Sequence, residues 1–220
     1  MWRHRRKIGH LMSYSPQVAA DCAMASLEAY NDSPFVEGYD TTHTFEDGDT
    51  FAFICERERH AILAYRGTES ITDFLTDIKY VKTDWHYGRV HKGFAEAFRP
   101  THEAIQAALV GKAYYVTGHS LGGALATLEA SYGNAMACYV YGCPRVGNRK
   151  FKVHIPLHRH EKFGDMVTII PPRQSFMQSF YALTHGRWPT LYQHKGTEIP
   201  VPGFMHSAAG YVEGTARLNN

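Results

Sequence analysis

The chain has 220 residues, 44% of them hydrophobic and 20% charged, with a formal net charge of +2 when the histidines are neutral. These values suit a globular protein of one domain and exclude the compositions of disordered and collagen-like chains. Near-neutral charge offers no electrostatic footprint for nucleic acid, although the 14 histidines add positive charge as pH falls.

Residues Arg3, His4, Arg5, Arg6 and Lys7 open the chain with a basic run, which Gly9, His10, Ser13, Ser15 and Pro16 then break. A leader needs about 7 to 15 unbroken apolar residues there, and a membrane span about 20, and neither is found. The reading is a solvated basic tail over 1–15, a single domain over 16–220 and no transmembrane segment. Cys22, Cys55, Cys138 and Cys143 are scattered among apolar runs without metal-type spacing. Reduced thiols and a cytoplasmic location are the expectation.

A helix is expected over 16–30, with Val18, Cys22 and Ala29 on one side, ended by the turn formers Asn31, Asp32, Ser33 and Pro34. Extended runs over 50–56 and 61–65 flank the charged residues 56–59 and read as a hairpin. Asp47-Gly48-Asp49 precedes it and is assigned to a turn, because the rest of a calcium loop is missing. Ile71, Phe74, Leu75 and Ile78 fall at i, i+3, i+4 and i+7, one apolar stripe of a short helix. A longer helix over 94–110 closes at Gly111; a buried strand over 113–117, a helix over 123–132 and a strand over 136–141 follow. Strand, turn, helix and strand make a βαβ unit, so the fold class is α/β with a mainly parallel central sheet flanked by helices.

Gly118-His119-Ser120-Leu121-Gly122 is a G-x-S-x-G sequence set between the predicted strand and helix. A serine on so sharp a turn needs small neighbours, and Gly118, Gly122 and Gly123 supply them. An ordinary Gly-rich turn is the plain alternative. A serine hydroxyl attacks an ester only with a base beside it, and the base needs an acid to fix its tautomer. Such sites run Ser, Asp or Glu, His along the chain, and Asp165 is the one aspartate after Ser120. Glu161 and Glu198 are fallback acids. Of His185, His194 and His206, the last lies in a loop just before an expected helix over 207–213, which favours it as base; His194 falls on an expected edge strand over 191–195. The oxyanion that forms in acyl transfer needs donors, and the Leu121 N–H with Thr68 in the loop Arg66-Gly67-Thr68 are the candidates. A solvated turn for Asp165 and a helix cap for Thr68 are the alternatives.

The motifs together resemble the class 3 lipases, the fungal-type triacylglycerol lipase family. They are Tyr65-Arg66-Gly67-Thr68-Glu69 with Asp77, Val90-His91-Lys92-Gly93-Phe94, residues 116–125, Gly142-Cys143-Pro144-Arg145-Val146-Gly147-Asn148, Gly164-Asp165-Met166-Val167 with Pro171-Pro172, Tyr192, His194, Gly196 and Glu198, and His206-Ser207 with Tyr211. The resemblance implies an α/β-hydrolase fold, a triad of Ser120, Asp165 and His206, and an oxyanion hole of Thr68 and Leu121. It also implies that the stripe Ile71, Phe74, Leu75 and Ile78 is a lid over an acyl pocket; a helix packed permanently on the core is the plain alternative. The expected activity is carboxylic-ester hydrolysis without metal or cofactor, on lipid or other ester substrates at a lipid–water interface, with phospholipase, short-chain esterase and feruloyl esterase as near alternatives. A catalytically silent lipid-binding protein and an acyltransferase are the readings from other classes.

Overall fold

The computed structural model describes residues 14–68, 81–172, 191–203 and 206–218. The apolar stripe over 71–78, His185 and all but the end of the expected basic tail lie outside the described residues.

Ser15 starts the first helix, α1 (Pro16–Glu28), by accepting the Val18 N–H on its side chain, with proline in the first turn where no N–H is needed. The helix buries Val18, Ala19, Cys22, Ala23, Ala25 and Ser26. Ser26 Oγ lies 2.8 Å from Thr117 Oγ1, which fixes α1 to the sheet beneath it. The expected hairpin forms as β2 (Thr50–Arg57) and β3 (His60–Tyr65), with residues 48 and 49 in a turn before it. A preceding strand, β1 (Asp40–Asp47), was not expected. Its side chains are almost all exposed, so its sequence carries no apolar alternation, and it is held by antiparallel pairing with β2.

Beyond β4 (Lys82–Asp84) and β5 (Arg89–His91), α2 (Lys92–Ala108) buries Phe94, Ala95, Phe98, Thr101 and Ile105. Gly111 follows at φ 76°, as the helix exit requires. The βαβ unit is β6 (Tyr114–His119), α3 (Leu121–Ala130) and β7 (Cys138–Tyr141). Next come β8 (Gly147–Asn148), β9 (Leu157–Lys162), a 3₁₀ turn (Met166–Ile169), β10 (Tyr192–Gln193), β11 (Thr197–Val201) and α4 (Ala208–Arg217). The apolar stretch after Asp165 is therefore that turn, and the edge strand expected over 191–195 shrinks to two residues.

The main sheet has the order β1-β2-β3-β6-β7-β9-β11, antiparallel from β1 to β3 and parallel from β3 onward. Its central strands read as unbroken apolar runs because both faces are covered. Leu63, Tyr65, Val116 and Val140 join the core under α2 and α3, while Ile62, Ala64, Tyr115, Tyr139 and Tyr141 join the core under α1. A small antiparallel sheet, β10-β8-β5-β4, lies apart from the main one, with β10 at its edge. The parallel strands β6, β7 and β9 end together, and their C-terminal ends carry the residues discussed next.

Candidate active site

Between β6 and α3 the chain turns at Ser120, whose φ of 57° is the one positive value at a non-glycine among the described residues. Such a conformation costs about 1 to 3 kcal/mol and persists where its surroundings over-determine it. Here the Ser120 N–H bonds the Tyr141 carbonyl at 3.0 Å, and its own carbonyl takes the N–H of Gly123 at 3.0 Å and Ala124 at 3.3 Å. A Cβ at Gly118 would overlap the Gly122 backbone, one at Gly122 would overlap the Tyr65 carbonyl, and one at Gly123 would sit 3.1 Å from Cys143 Cβ. The three glycines are thus demanded by close approach. Ser120 is 1% exposed, and its Oγ makes no hydrogen bond among the described residues.

Asp165 follows β9 across the turn Phe163-Gly164 and caps the 3₁₀ turn, its Oδ1 taking the Val167 N–H at 2.9 Å. Its Oδ2 faces His206 Nδ1 at 2.6 Å and accepts the Tyr211 hydroxyl at 2.7 Å. Burial alone would raise this carboxyl, but the hydrogen bond and charge of His206, then the Tyr211 and Val167 hydrogen bonds, outweigh it and hold it below the ordinary value. An ionised carboxylate can only accept, so the proton between the pair belongs to His206 Nδ1 and the lone pair to Nε2. That Nε2 is buried and has no hydrogen-bond partner among the described residues. The imidazole packs on the backbone of Gly142, where a Cβ would lie 2.6 Å from Cε1, and His119 stacks on it at 4.4 Å and 29°. Ser207 caps α4 by accepting the Gly210 N–H, and Tyr211 comes on the first turn of that helix.

His119 is a neutral neighbour of this ring. Burial, then the nearby His206, lowers it to about 3, and its Nδ1 lies 2.9 Å from the Tyr30 hydroxyl. Leu27, Tyr30, Thr68, His119, His206 and Ser207 line a cleft of about 240 Å³. The loop Arg66-Gly67-Thr68 is pressed against the turn, since a Cβ on Gly67 would be 3.3 Å from Ser120 Cβ. Leu121 is the first residue of α3, and a helix start leaves its N–H groups outside the helical ladder.

The fallback acids stand elsewhere. Glu161 pairs with Arg159, and Glu198 is 3.6 Å from the same guanidinium. His194 Nε2 is 2.6 Å from the Thr168 carbonyl and is turned to Glu161 at 3.7 Å, so it does not meet Asp165. Sequence reasoning missed Tyr30 and gave Gly142 and Tyr211, both in the quoted motifs, no contact of their own. A glycine immediately after an apolar strand was a signal for Gly142; nothing local marks Tyr30.

The strand order, the serine at the strand-to-helix turn and the Asp165–His206 pair set on later loops define a member of the α/β-hydrolase fold class. The profile of the lipase (class 3) family matches residues 62–175, and the chain belongs to that family. A lipase of Rhizomucor miehei is 29% identical over 158 residues, covering 61% of this chain and 42% of that protein. A secreted mono- and diacylglycerol lipase 1 of Fusarium solani is 36% identical over 107 residues, covering 42% of this chain and 32% of that protein. The crystal structure of a lipase from Rhizopus microsporus var. chinensis superposes with a TM-score of 0.68 at 27% identity, covering 84% of this chain and 74% of that one. The chain spans less than half the length of the curated relatives it matches.

These relatives correct the expectation of a cytoplasmic protein, because one of them is itself named as secreted. The expectation rested on reduced thiols and a missing leader. All four cysteines are indeed buried free thiols, but burial raises the thiols of Cys22, Cys55, Cys138 and Cys143, and such groups stay inert on either side of a membrane. Among the described residues no helix is long and apolar enough to cross a membrane, and no group of His, Cys, Asp and Glu is arranged to hold a metal ion.

Proposed function

We propose that this protein is a serine carboxylic-ester hydrolase acting on acylglycerols, with Ser120 as nucleophile, His206 as base and Asp165 as the acid that orients it. One observation carries the reading: His206 gives its Nδ1 side to Asp165 at 2.6 Å, leaving a buried Nε2 in the same site as the buried Ser120 Oγ, neither with a hydrogen-bond partner among the described residues. His206 takes the hydroxyl proton as Ser120 Oγ attacks the ester carbonyl. Leu121 N–H and Thr68 hold the oxyanion, the alcohol leaves with the proton from His206, and water hydrolyses the acyl-enzyme by the reverse transfer. Membership of the class 3 lipases and the names of the matched fungal relatives favour acylglycerols among esters. The candidate lid is Ile71, Phe74, Leu75 and Ile78, opening at a lipid–water interface, within one domain over 16–220 preceded by a basic tail over 1–15.

The test is hydrolysis of p-nitrophenyl esters of increasing acyl length and of mono-, di- and triacylglycerols, with and without detergent, by wild type and Ser120→Ala. Ser120-dependent turnover that grows with acyl length and responds to an interface supports the reading. A short-chain optimum replaces lipase by esterase, and absence of Ser120-dependent turnover removes the enzyme.

A further inference from the structure

The proposed mechanism leaves two residues of the sequence motifs without a task, Arg145 and His194. Both reach the turn that follows Asp165. That residue sits at the head of a 3₁₀ turn of four residues, Met166–Ile169, too short to hold itself by a ladder of its own. Inside the turn, Thr168 Oγ1 bonds the Asp165 carbonyl at 2.8 Å and the Ile170 N–H bonds the Val167 carbonyl at 3.2 Å.

The next four carbonyls are all taken by two residues from elsewhere in the chain. His194 Nε2 lies 2.6 Å from the Thr168 oxygen, and since a carbonyl only accepts, Nε2 carries the proton. Arg145 Nη1 bonds the Ile169 oxygen and, at 2.9 Å, the Pro171 oxygen, while the Arg145 backbone N–H bonds the Ile170 oxygen at 2.7 Å. The guanidinium suits this work because its planar fork spans several acceptors and keeps its charge at any working pH. The same Nε2 lies 3.7 Å from Glu161 Oε1, and Arg159 pairs that carboxylate, so the imidazole edge is held on the turn side.

We infer that Arg145 and His194 are positioning residues that clamp the turn carrying Asp165 by its carbonyls, so that the carboxylate meets His206 in the orientation the base needs. The inference rests on the reading of Ser120, His206 and Asp165 given above. Neither residue touches the cleft. Their effect passes through Asp165 alone, so loss of the clamp loosens the Asp165–His206 pair and slows turnover without weakening substrate binding.

The experiment compares Arg145→Met, Arg145→Lys, His194→Phe and His194→Gln with wild type. The readouts are kcat and KM per site titrated with a fluorophosphonate, thermal unfolding, and the low-field proton resonance of His206 Nδ1–H by NMR. Arg145→Met and His194→Phe are expected to lower kcat per titrated site by about tenfold or more, keep KM within about twofold, and shift or broaden the resonance. His194→Gln keeps an N–H donor for the Thr168 carbonyl and is expected to recover most of the loss, with Arg145→Lys intermediate. An unchanged resonance and kcat in the Met and Phe variants overturns the clamp. So does an equal loss in all four variants that tracks their unfolding temperatures. Failure of wild type to be titrated, or full turnover by Ser120→Ala, overturns the reading of the site instead, while the resonance still reports on the clamp.

Discussion

Adding one methyl group at Gly142 isolates the positioning of His206, the proposed base, from the stability of the fold. Gly142 has φ 55°, and a Cβ there would lie 2.6 Å from His206 Cε1, 2.8 Å from its Nδ1 and 2.9 Å from Asp165 Oδ2. Ordinary contact begins near 3.4 Å, so in Gly142→Ala the imidazole has to retreat by about 0.8 Å (3.4 − 2.6). A displacement near 1 Å in a catalytic group costs on the order of 100-fold in rate, about 2.7 kcal/mol of barrier. The left-handed backbone adds about 1 to 2 kcal/mol of folding strain for any residue with a Cβ. Gly48 supplies the control, because it has the same φ of 55° with nothing within 4 Å of its would-be Cβ. Gly48→Ala should therefore lose the same stability in urea unfolding while keeping kcat. Gly142→Ala should lose both, with kcat on a soluble ester down about 100-fold. Equal activity in the two variants would refute the argument that the Gly142 backbone is the platform for the proposed base.

Three further outcomes follow from buried polar groups. Tyr211→Phe removes one donor from Asp165 Oδ2 and leaves the His206 contact, so kcat should fall about tenfold with KM unchanged, measured on a soluble ester. Glu129 is fully buried and receives Gln106 at 2.7 Å and the hydroxyls of Tyr114 at 3.1 Å and Tyr65 at 3.4 Å, with His102 also at 3.1 Å. Glu129→Ala strands these partners and should cost about 3 to 5 kcal/mol in urea unfolding. His119 and His160 are each held neutral to about pH 3, chiefly by burial. Unfolded histidines take up protons near pH 6.5, so below that the unfolded chain binds more protons and stability falls with pH until about 3. Glu161, raised by burial to about 7, opposes this between about pH 7 and 4.5, because its folded form binds the extra proton there. The net fall should thus steepen below about pH 4.5, and His160→Phe should make it shallower by about 1.4 kcal/mol per pH unit in urea titrations. An unchanged slope in that variant would show that His160 is charged in the fold.

Local chemistry made part of this protein readable without coordinates. Unbroken apolar runs over 61–65, 113–117 and 136–141 mark strands covered on both faces, because exposure of either face would demand alternation. The glycines around Ser120 mark a turn too tight for side chains, and Asp165 stands out as the one aspartate after that serine. Strand β1 escaped because its residues are polar and exposed, and its order comes from the neighbouring backbone of β2. Choosing His206 from three histidines could be argued from loop position, but its 2.6 Å approach to Asp165 is a fact of the folded chain alone. The same holds for Tyr30 beside His119, Tyr211 on the carboxylate, the Gly142 platform, and Arg145 with His194 behind the acid. Periodicity and turn chemistry act within a few neighbouring residues, so the sequence determined the helices α1 to α4, the strands β2, β3, β6 and β7 and the turn at Ser120, but not β1, β4, β5, β8, β9 or β11. A hydrogen-bond partner is chosen by where distant strands end, and only the packed sheet decided which side chains meet.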